Sequence, residues 1–326
     1  MTAVISRRAL ISRLALFGMA GGGLWLVRDR LPGSGPQIRF DDGHATPWLP
    51  IVAKGPLLEI QASVNGRPVR ALIDSGAQVS AVDRALAAEL ALPRTTTLPF
   101  LAYGVSGAAS LTHTVGLDLA LPGFAAAGLR AAVFDIAALA GASGRSFRVL
   151  VGRDVLNHVR LEVDMTRRRL RLARPNDHAP PRDATVVGLR PQGGAPMVEV
   201  RINGGRPIAV LLDTGAQDVL ALAAPAASTA GLSPPSAVHT VTASVGLGGV
   251  ALNTRLQVRT LSVGGVTLRD APVAVYPPAR RSGVPSGLLG AGFLQRFGYV
   301  LDLPDRRLLL TPPNLMIVPP PGEPNR

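Results

Sequence analysis

One six-residue loop occurs twice in this chain. Leu72-Ile73-Asp74-Ser75-Gly76-Ala77 and Leu211-Leu212-Asp213-Thr214-Gly215-Ala216 each run two apolar residues up to a carboxylate, follow it with a small hydroxyl residue, and close on glycine and alanine. The apolar pair anchors the end of a strand, and the glycine permits a sharp turn whose N–H groups face the carboxylate. A single Asp-Thr-Gly is an ordinary turn. Two copies, 139 positions apart, point to a fold that repeats.

The flanks repeat as well. Ahead of each aspartate stand an apolar strand and a Gly-Arg-Pro turn: Leu57-Leu58-Glu59-Ile60 with Gly66-Arg67-Pro68, and Met197-Val198-Glu199-Val200 with Gly205-Arg206-Pro207. Behind each comes an apolar run ending in glycine, Val149-Leu150-Val151-Gly152 and Gly287-Leu288-Leu289-Gly290. Both halves then close alike, through Leu161-Glu162-Val163-Asp164 with Arg168-Arg169-Leu170 and through Tyr299-Val300-Leu301-Asp302 with Arg306-Arg307-Leu308. Duplication of one unit accounts for all of this, and a length of 326 residues agrees with two domains of about 150 residues each.

In the first half, apolar and β-branched alternation predicts strands at 57–64 and 69–73, through Leu117-Asp118-Leu119 and Ala131-Ala132-Val133-Phe134, and from Arg148 to Val151. Val82, Leu86 and Leu90 recur at helical spacing before Pro93 and predict a helix from Ser80 to Leu92. A short helix, Arg153 to His158, precedes the closing strands 160–164 and 168–172, and the second half retraces the plan from Met197 to Thr311. Alternation places Glu59 and Glu199, matched across the repeat, on the outer faces of their strands. The division is an export signal or amino-terminal membrane anchor at 1–31, a linker at 32–50, lobes at 51–173 and 185–318 joined by a Pro-rich linker at 174–184, and a disordered tail at 319–326.

On these residues the chain after the linker resembles the retropepsin and pepsin clan of aspartic peptidases, which carry a hydrophobic-hydrophobic-Asp-Thr/Ser-Gly loop and a later apolar-apolar-Gly in each lobe. Val149-Leu150-Val151-Gly152-Arg153-Asp154 is close to the retroviral form. Retroviral enzymes are dimers of one lobe, whereas this chain resembles a tandem in which two lobes supply one aspartate each. The resemblance implies a mainly β, bilobal acid-protease fold of two duplicated β-barrel-like lobes with pseudo-two-fold symmetry. It also implies that Ser75 and Thr214 interlock beneath the pair and that Gly-rich hairpin tips form flaps over the substrate. Tyr103 and Gly104 stand at that place in the first half, Gly246 and Gly248 in the second. A mobile lid and a plain hairpin turn both fit such tips.

The chemistry explains the doubling. Two carboxylates brought within hydrogen-bonding distance cannot both ionise readily, so the pair holds one proton over a useful pH range. One of Asp74 and Asp213 then acts as general base on a water while the other donates to the scissile carbonyl. The N–H groups of Gly76 and Gly215, with the hydroxyls of Ser75 and Thr214, hold the carboxylates. There are departures from the family pattern. Retroviral enzymes place an aspartate two residues after the loop glycine, braced by the arginine of Gly-Arg-Asp; here Gln78 and Gln217 stand there, and Gly290-Ala291-Gly292 replaces Gly152-Arg153-Asp154. The Arg–Asp brace is therefore absent or replaced, a bond from Arg153 to the Gln78 amide oxygen being one replacement.

Composition narrows the alternatives. With no cysteine there are no disulfides, thiol nucleophiles or thiolate metal sites, and five scattered histidines make no zinc pattern. The net charge of +13 is carried by arginines dispersed singly or in short runs, with few Trp or Tyr to stack on bases, so no nucleic-acid partner is expected. No cofactor or metal is expected either. Arg7, Arg8 and Arg13 precede an apolar run from Leu14 to Val27, too short for the ~20 residues of a spanning helix. Ser6-Arg7-Arg8-Ala9-Leu10-Ile11 fits a twin-arginine export motif and also an ordinary basic signal region. Either makes the protein exported, periplasmic, or membrane-anchored facing the periplasm, with a membrane tether through residues 9–27 if the segment is kept.

The sequence thus predicts an aspartic endopeptidase acting on a peptide or protein substrate, a monomer with both lobes in one chain. The rival from another class is a non-catalytic peptide-binding or scaffold protein on the same fold. A third arrangement pairs each lobe with its counterpart in a second chain.

Overall fold

A computed structural model describes residues 25–26, 35–95, 100–103, 109–175, 183–232, 240–246, 249–277 and 285–312. Each half builds a closed six-stranded barrel. In the first, the hydrogen-bonded order is Glu59–Val64, Arg67–Ile73, Val149–Val151, Ala81–Asp83, Phe124–Phe134 and Thr114–Leu121, which pairs back onto Glu59–Val64. In the second it is Ala195–Ile202, Ile208–Asp213, Gly287–Gly290, Leu220–Ala223, Val266–Tyr276 and Gly249–Val263, again closing on the first strand. Closure leaves these strands no free edges. The architecture is mainly β, two closed barrels in tandem, as the duplication implies.

The order fixes where the aspartates go. Each aspartate-bearing strand lies between an antiparallel neighbour and a parallel one, and the parallel partner is the apolar run that ends in glycine. Leu72 is level with Leu150 and Ile73 with Val151; Leu212 is level with Leu289 and Asp213 with Gly290. The chain enters each barrel through a two-residue turn, Asn65-Gly66 and Asn203-Gly204, with all four residues at positive φ. Asn-Gly is the natural occupant of such a turn, because both central positions need the left-handed region. The Gly-Arg-Pro segments begin at or just after these turns.

A six-stranded sheet joins the halves. Its order is Thr185–Gly188, Arg307–Thr311, Gly298–Asp302, Arg160–Asp164, Arg169–Ala173 and Leu49–Pro50, with the seam where Leu161 faces Leu301 and Val163 faces Tyr299. Leu161, Val163, Leu170, Leu172, Tyr299, Leu301, Leu308 and Leu310 are buried in one hydrophobic cluster that runs through both barrels. The other face carries Arg160, Glu162 and Arg171, an ion-paired trio all buried. Each large apolar side chain buried stabilises by roughly 1.5–3 kcal/mol, whereas a buried ion pair returns little beyond its own desolvation. The apolar face therefore holds the halves together.

Three readings change. Residues 80–92 are a strand, Ala81–Asp83, followed by a helix, Arg84–Glu89. Val82 serves the barrel beside Val133, and Asp83 caps the helix by accepting from Leu86 N–H. Glu59 is fully buried because Arg145, on the loop folded over its strand, pairs with it; Glu199 is half exposed and pairs with Arg190. Within the segment read as a linker, Gln37–Phe40 pairs with the Phe124–Phe134 strand and Leu49–Pro50 with the joining sheet.

Hairpins stand at both flap positions. Phe100–Tyr103 pairs with Ala109–Thr112, and Thr240–Gly246 pairs with Gly249–Val263. Tyr103 and Gly246 end their strands beside the tips; Gly104 and Gly248 lie outside the described residues. Most of residues 9–27 also lies outside them, except Trp25–Leu26, which pairs with Tyr103 and Ala102. Among the described residues no helix is long and apolar enough to cross a membrane.

Candidate active site

The two repeated loops interlock. Ser75 N–H donates to Thr214 Oγ1 at 2.9 Å, and Thr214 N–H donates to Ser75 Oγ at 3.0 Å. Each hydroxyl then donates onward across the seam, Ser75 Oγ to the Leu212 carbonyl and Thr214 Oγ1 to the Ile73 carbonyl, both at 2.8 Å. Only a hydroxyl both accepts from an amide and donates to a carbonyl through one atom, which is why Ser and Thr stand here. All four bonds are buried, so each is expensive to leave unmade.

The interlock sets the carboxylates face to face. Asp74 Oδ1 accepts from Gly76 N–H at 2.9 Å and Ala77 N–H at 3.1 Å; Asp213 Oδ1 accepts from Gly215 N–H at 2.8 Å and Ala216 N–H at 3.2 Å. A β-carbon added at Gly76 would lie 2.5 Å from Asp213 Cγ, and one at Gly215 would lie 2.5 Å from Asp74 Cγ. Each loop glycine is therefore the floor on which the other lobe's carboxylate rests. Ala77 and Ala216 were not singled out from the sequence; their amides supply the second donor, and their repeated position after each glycine was the available signal.

Both carboxyls are almost completely buried, at 4% and 0% exposure. Burial pushes both above the usual carboxylate range, and the negative charge of Asp74 pushes Asp213 further. Asp213 Oδ2 accepts no bond from any described N–H or O–H.

Behind the loops the halves differ. Arg153 N–H donates to the Ala77 carbonyl at 2.9 Å and Ala291 N–H to the Ala216 carbonyl at 2.7 Å, so the backbones match. The side chains do not match. Arg153 Nη1 donates to the carbonyls of Ser75 and Gly76, at 3.2 and 3.1 Å. Burial lowers its pKa to about 10, against the pull of Asp74 and Asp213, and it stays charged at neutral pH. Asp154 accepts from Ser80 N–H and Ser80 Oγ, and burial raises it to about 6. In the second half Gly292 takes that place, packed so closely on the backbone at Gln217 and Asp218 that a β-carbon would lie 2.5 Å from the Gln217 carbonyl oxygen. Asp218 pairs with Arg255 at 3.0 Å.

Other features stand apart. Two hollows of about 550 and 650 Å³ flank the strand Arg190–Gln192 and include none of the loop residues. Among the described residues no group of three or more acidic or histidine side chains is arranged to hold a metal ion. His113 is half-buried, and burial, then the nearby Arg94 and Arg84, lower its pKa.

A family profile described as aspartyl protease matches residues 60–155 and again 198–293. Among solved structures, a retropepsin-like aspartic protease from Rickettsia conorii is similar at 21% identity, covering 39% of this chain and 89% of that one, with a TM-score of 0.31. No curated protein matches.

Proposed function

The chain belongs to the aspartyl protease family, and from that premise we propose that it is an aspartic endopeptidase whose catalytic residues are Asp74 and Asp213. The observation that carries the reading is the crossed packing of two buried carboxylates, each on the other lobe's glycine, above a mutual hydroxyl lock. A water between them loses a proton to the ionised carboxylate as its oxygen attacks the scissile carbonyl carbon. The protonated carboxyl gives its proton to the carbonyl oxygen, forming a tetrahedral diol. Collapse breaks the C–N bond, a proton passes to the leaving amine, and the pair again holds a single proton. The main-chain donors on each Oδ1 are fixed before substrate arrives, so the site needs no rearrangement during the reaction.

The substrate we propose is an extended peptide, whose main chain pairs with hairpin edges while apolar pockets take its side chains. The hairpin ending at Gly246 approaches the first-lobe helix Ile136–Ala142, which supports a lid spanning both lobes. Export belongs to the same proposal, supported by Arg7, Arg8 and the apolar run after Arg13. Asp74→Asn and Asp213→Asn are each expected to abolish peptide cleavage while far-UV circular dichroism and the melting transition stay near those of wild type. Cleavage retained by either variant refutes the assignment.

A further inference from the structure

A buried cation stands behind one loop of the pair, and the equivalent position in the other lobe is an alanine. Arg153, 2% exposed, opens the short helix Arg153–Leu156 and points its guanidinium under the Asp74 loop. Its two acceptors are the carbonyls of Ser75 and Gly76. Those carbonyls belong to the peptide groups whose N–H ends, on Gly76 and Ala77, both donate to Asp74 Oδ1. The cation and the carboxylate thus sit at opposite ends of the same two peptide dipoles. A positive charge on a carbonyl oxygen polarises the amide and strengthens its N–H as a donor, the more so in a dry interior. In the second lobe the equivalent N–H groups of Gly215 and Ala216 hold Asp213, but the residue behind them is Ala291, which has no donor in its side chain.

We propose that Arg153 is a positioning residue that polarises the pair through these two peptide groups, so that before substrate binds Asp74 carries the charge and Asp213 carries the shared proton. Asp74 is then the base toward water and Asp213 the acid toward the carbonyl, an assignment of roles that rests on the peptidase reading. The charged groups acting on Arg153 are Asp74 and Asp213 from the loops and Asp154 on its own helix, whose carboxylate is turned to Ser80.

The test needs no turnover. In Asp213→Asn and Asp74→Asn, the remaining carboxyl is titrated by carbon-13 NMR of labelled aspartate. The lone Asp74 is expected to titrate about one pH unit or more below the lone Asp213. Adding Arg153→Met to Asp213→Asn is expected to raise Asp74 by about one unit, and Arg153→Lys, which keeps the charge, to recover most of it. Equal titration of the two lone carboxyls, or no movement of Asp74 in the methionine variant, overturns the proposal; a merely structural arginine would change the melting temperature and leave the titration where it was. If the methionine variant does not fold, the comparison of the two single variants decides alone. A wild-type protein that cleaves nothing overturns the peptidase reading and not the titration order, whereas an active protein with equal titrations overturns only the role of Arg153.

Discussion

Behind Asp74 the chain has an arginine on two carbonyls and an aspartate clamped to Ser80; behind Asp213 it has Ala291 and a glycine pressed directly on the backbone. In front, the two loops match bond for bond, from the double donation onto each Oδ1 to the reciprocal hydroxyl exchange. The copies agree wherever one lobe touches the other's carboxylate, because a change there is felt by both. They differ behind the loops, where several kinds of packing can support the same backbone.

The largest test of this comparison is at the shared floor. Gly76→Ala and Gly215→Ala each drive a β-carbon into the opposite carboxylate, so both are expected to lower kcat/KM at least about 100-fold, and by similar factors. A loss confined to one variant would break the equivalence of the loops. Next come the hydroxyls. Ser75→Ala and Thr214→Val each strand a buried amide and a buried carbonyl on the opposite strand, and urea unfolding should show about 2 kcal/mol lost for either. Their double variant should lose less than the sum, because the bonds form one network.

The smallest effect sharpens the difference behind the loops. Asp154 titrates at about 6 in the folded chain and near 3.9 when unfolded, so the folded state holds the proton more tightly. Its contribution to stability is present below about pH 4 and is lost as pH rises through about 6. Subtracting the stability profile of Asp154→Asn from that of wild type should leave a decline on the order of 1 kcal/mol across this window, after discounting for partial exposure. Gly292, having no side chain, makes no such contribution from the second lobe. A flat difference would show that Asp154 does not bear that strain.

Much of this was legible in the sequence because it is local or repeated. The two loops, the apolar-apolar-Gly runs and the closing strands each announce themselves within a few residues, and their recurrence excludes coincidence. What was not legible depends on segments meeting from a distance. Val82, Leu86 and Leu90 fit one helix by spacing, yet Val82 is claimed by the barrel through its pairing with the strand at Val133. Glu59 looked outward by alternation, and only the fold of the loop bearing Arg145 covers it. The donation of Arg153 to the loop carbonyls of Ser75 and Gly76 depends on how two distant segments meet, which spacing does not reveal. The mismatch of Gly152-Arg153-Asp154 with Gly290-Ala291-Gly292 was visible in sequence, and it marks the place where the halves part.

The most direct measurement is cleavage of a mixed peptide library by the wild-type protein, titrated with a statine-type inhibitor whose hydroxyl mimics the tetrahedral diol. Cleavage that falls to zero at one inhibitor per chain is the predicted result, because two lobes of one chain make one site. No cleavage by the folded protein would contradict the account, as would cleavage indifferent to the inhibitor or an endpoint at one inhibitor per two chains.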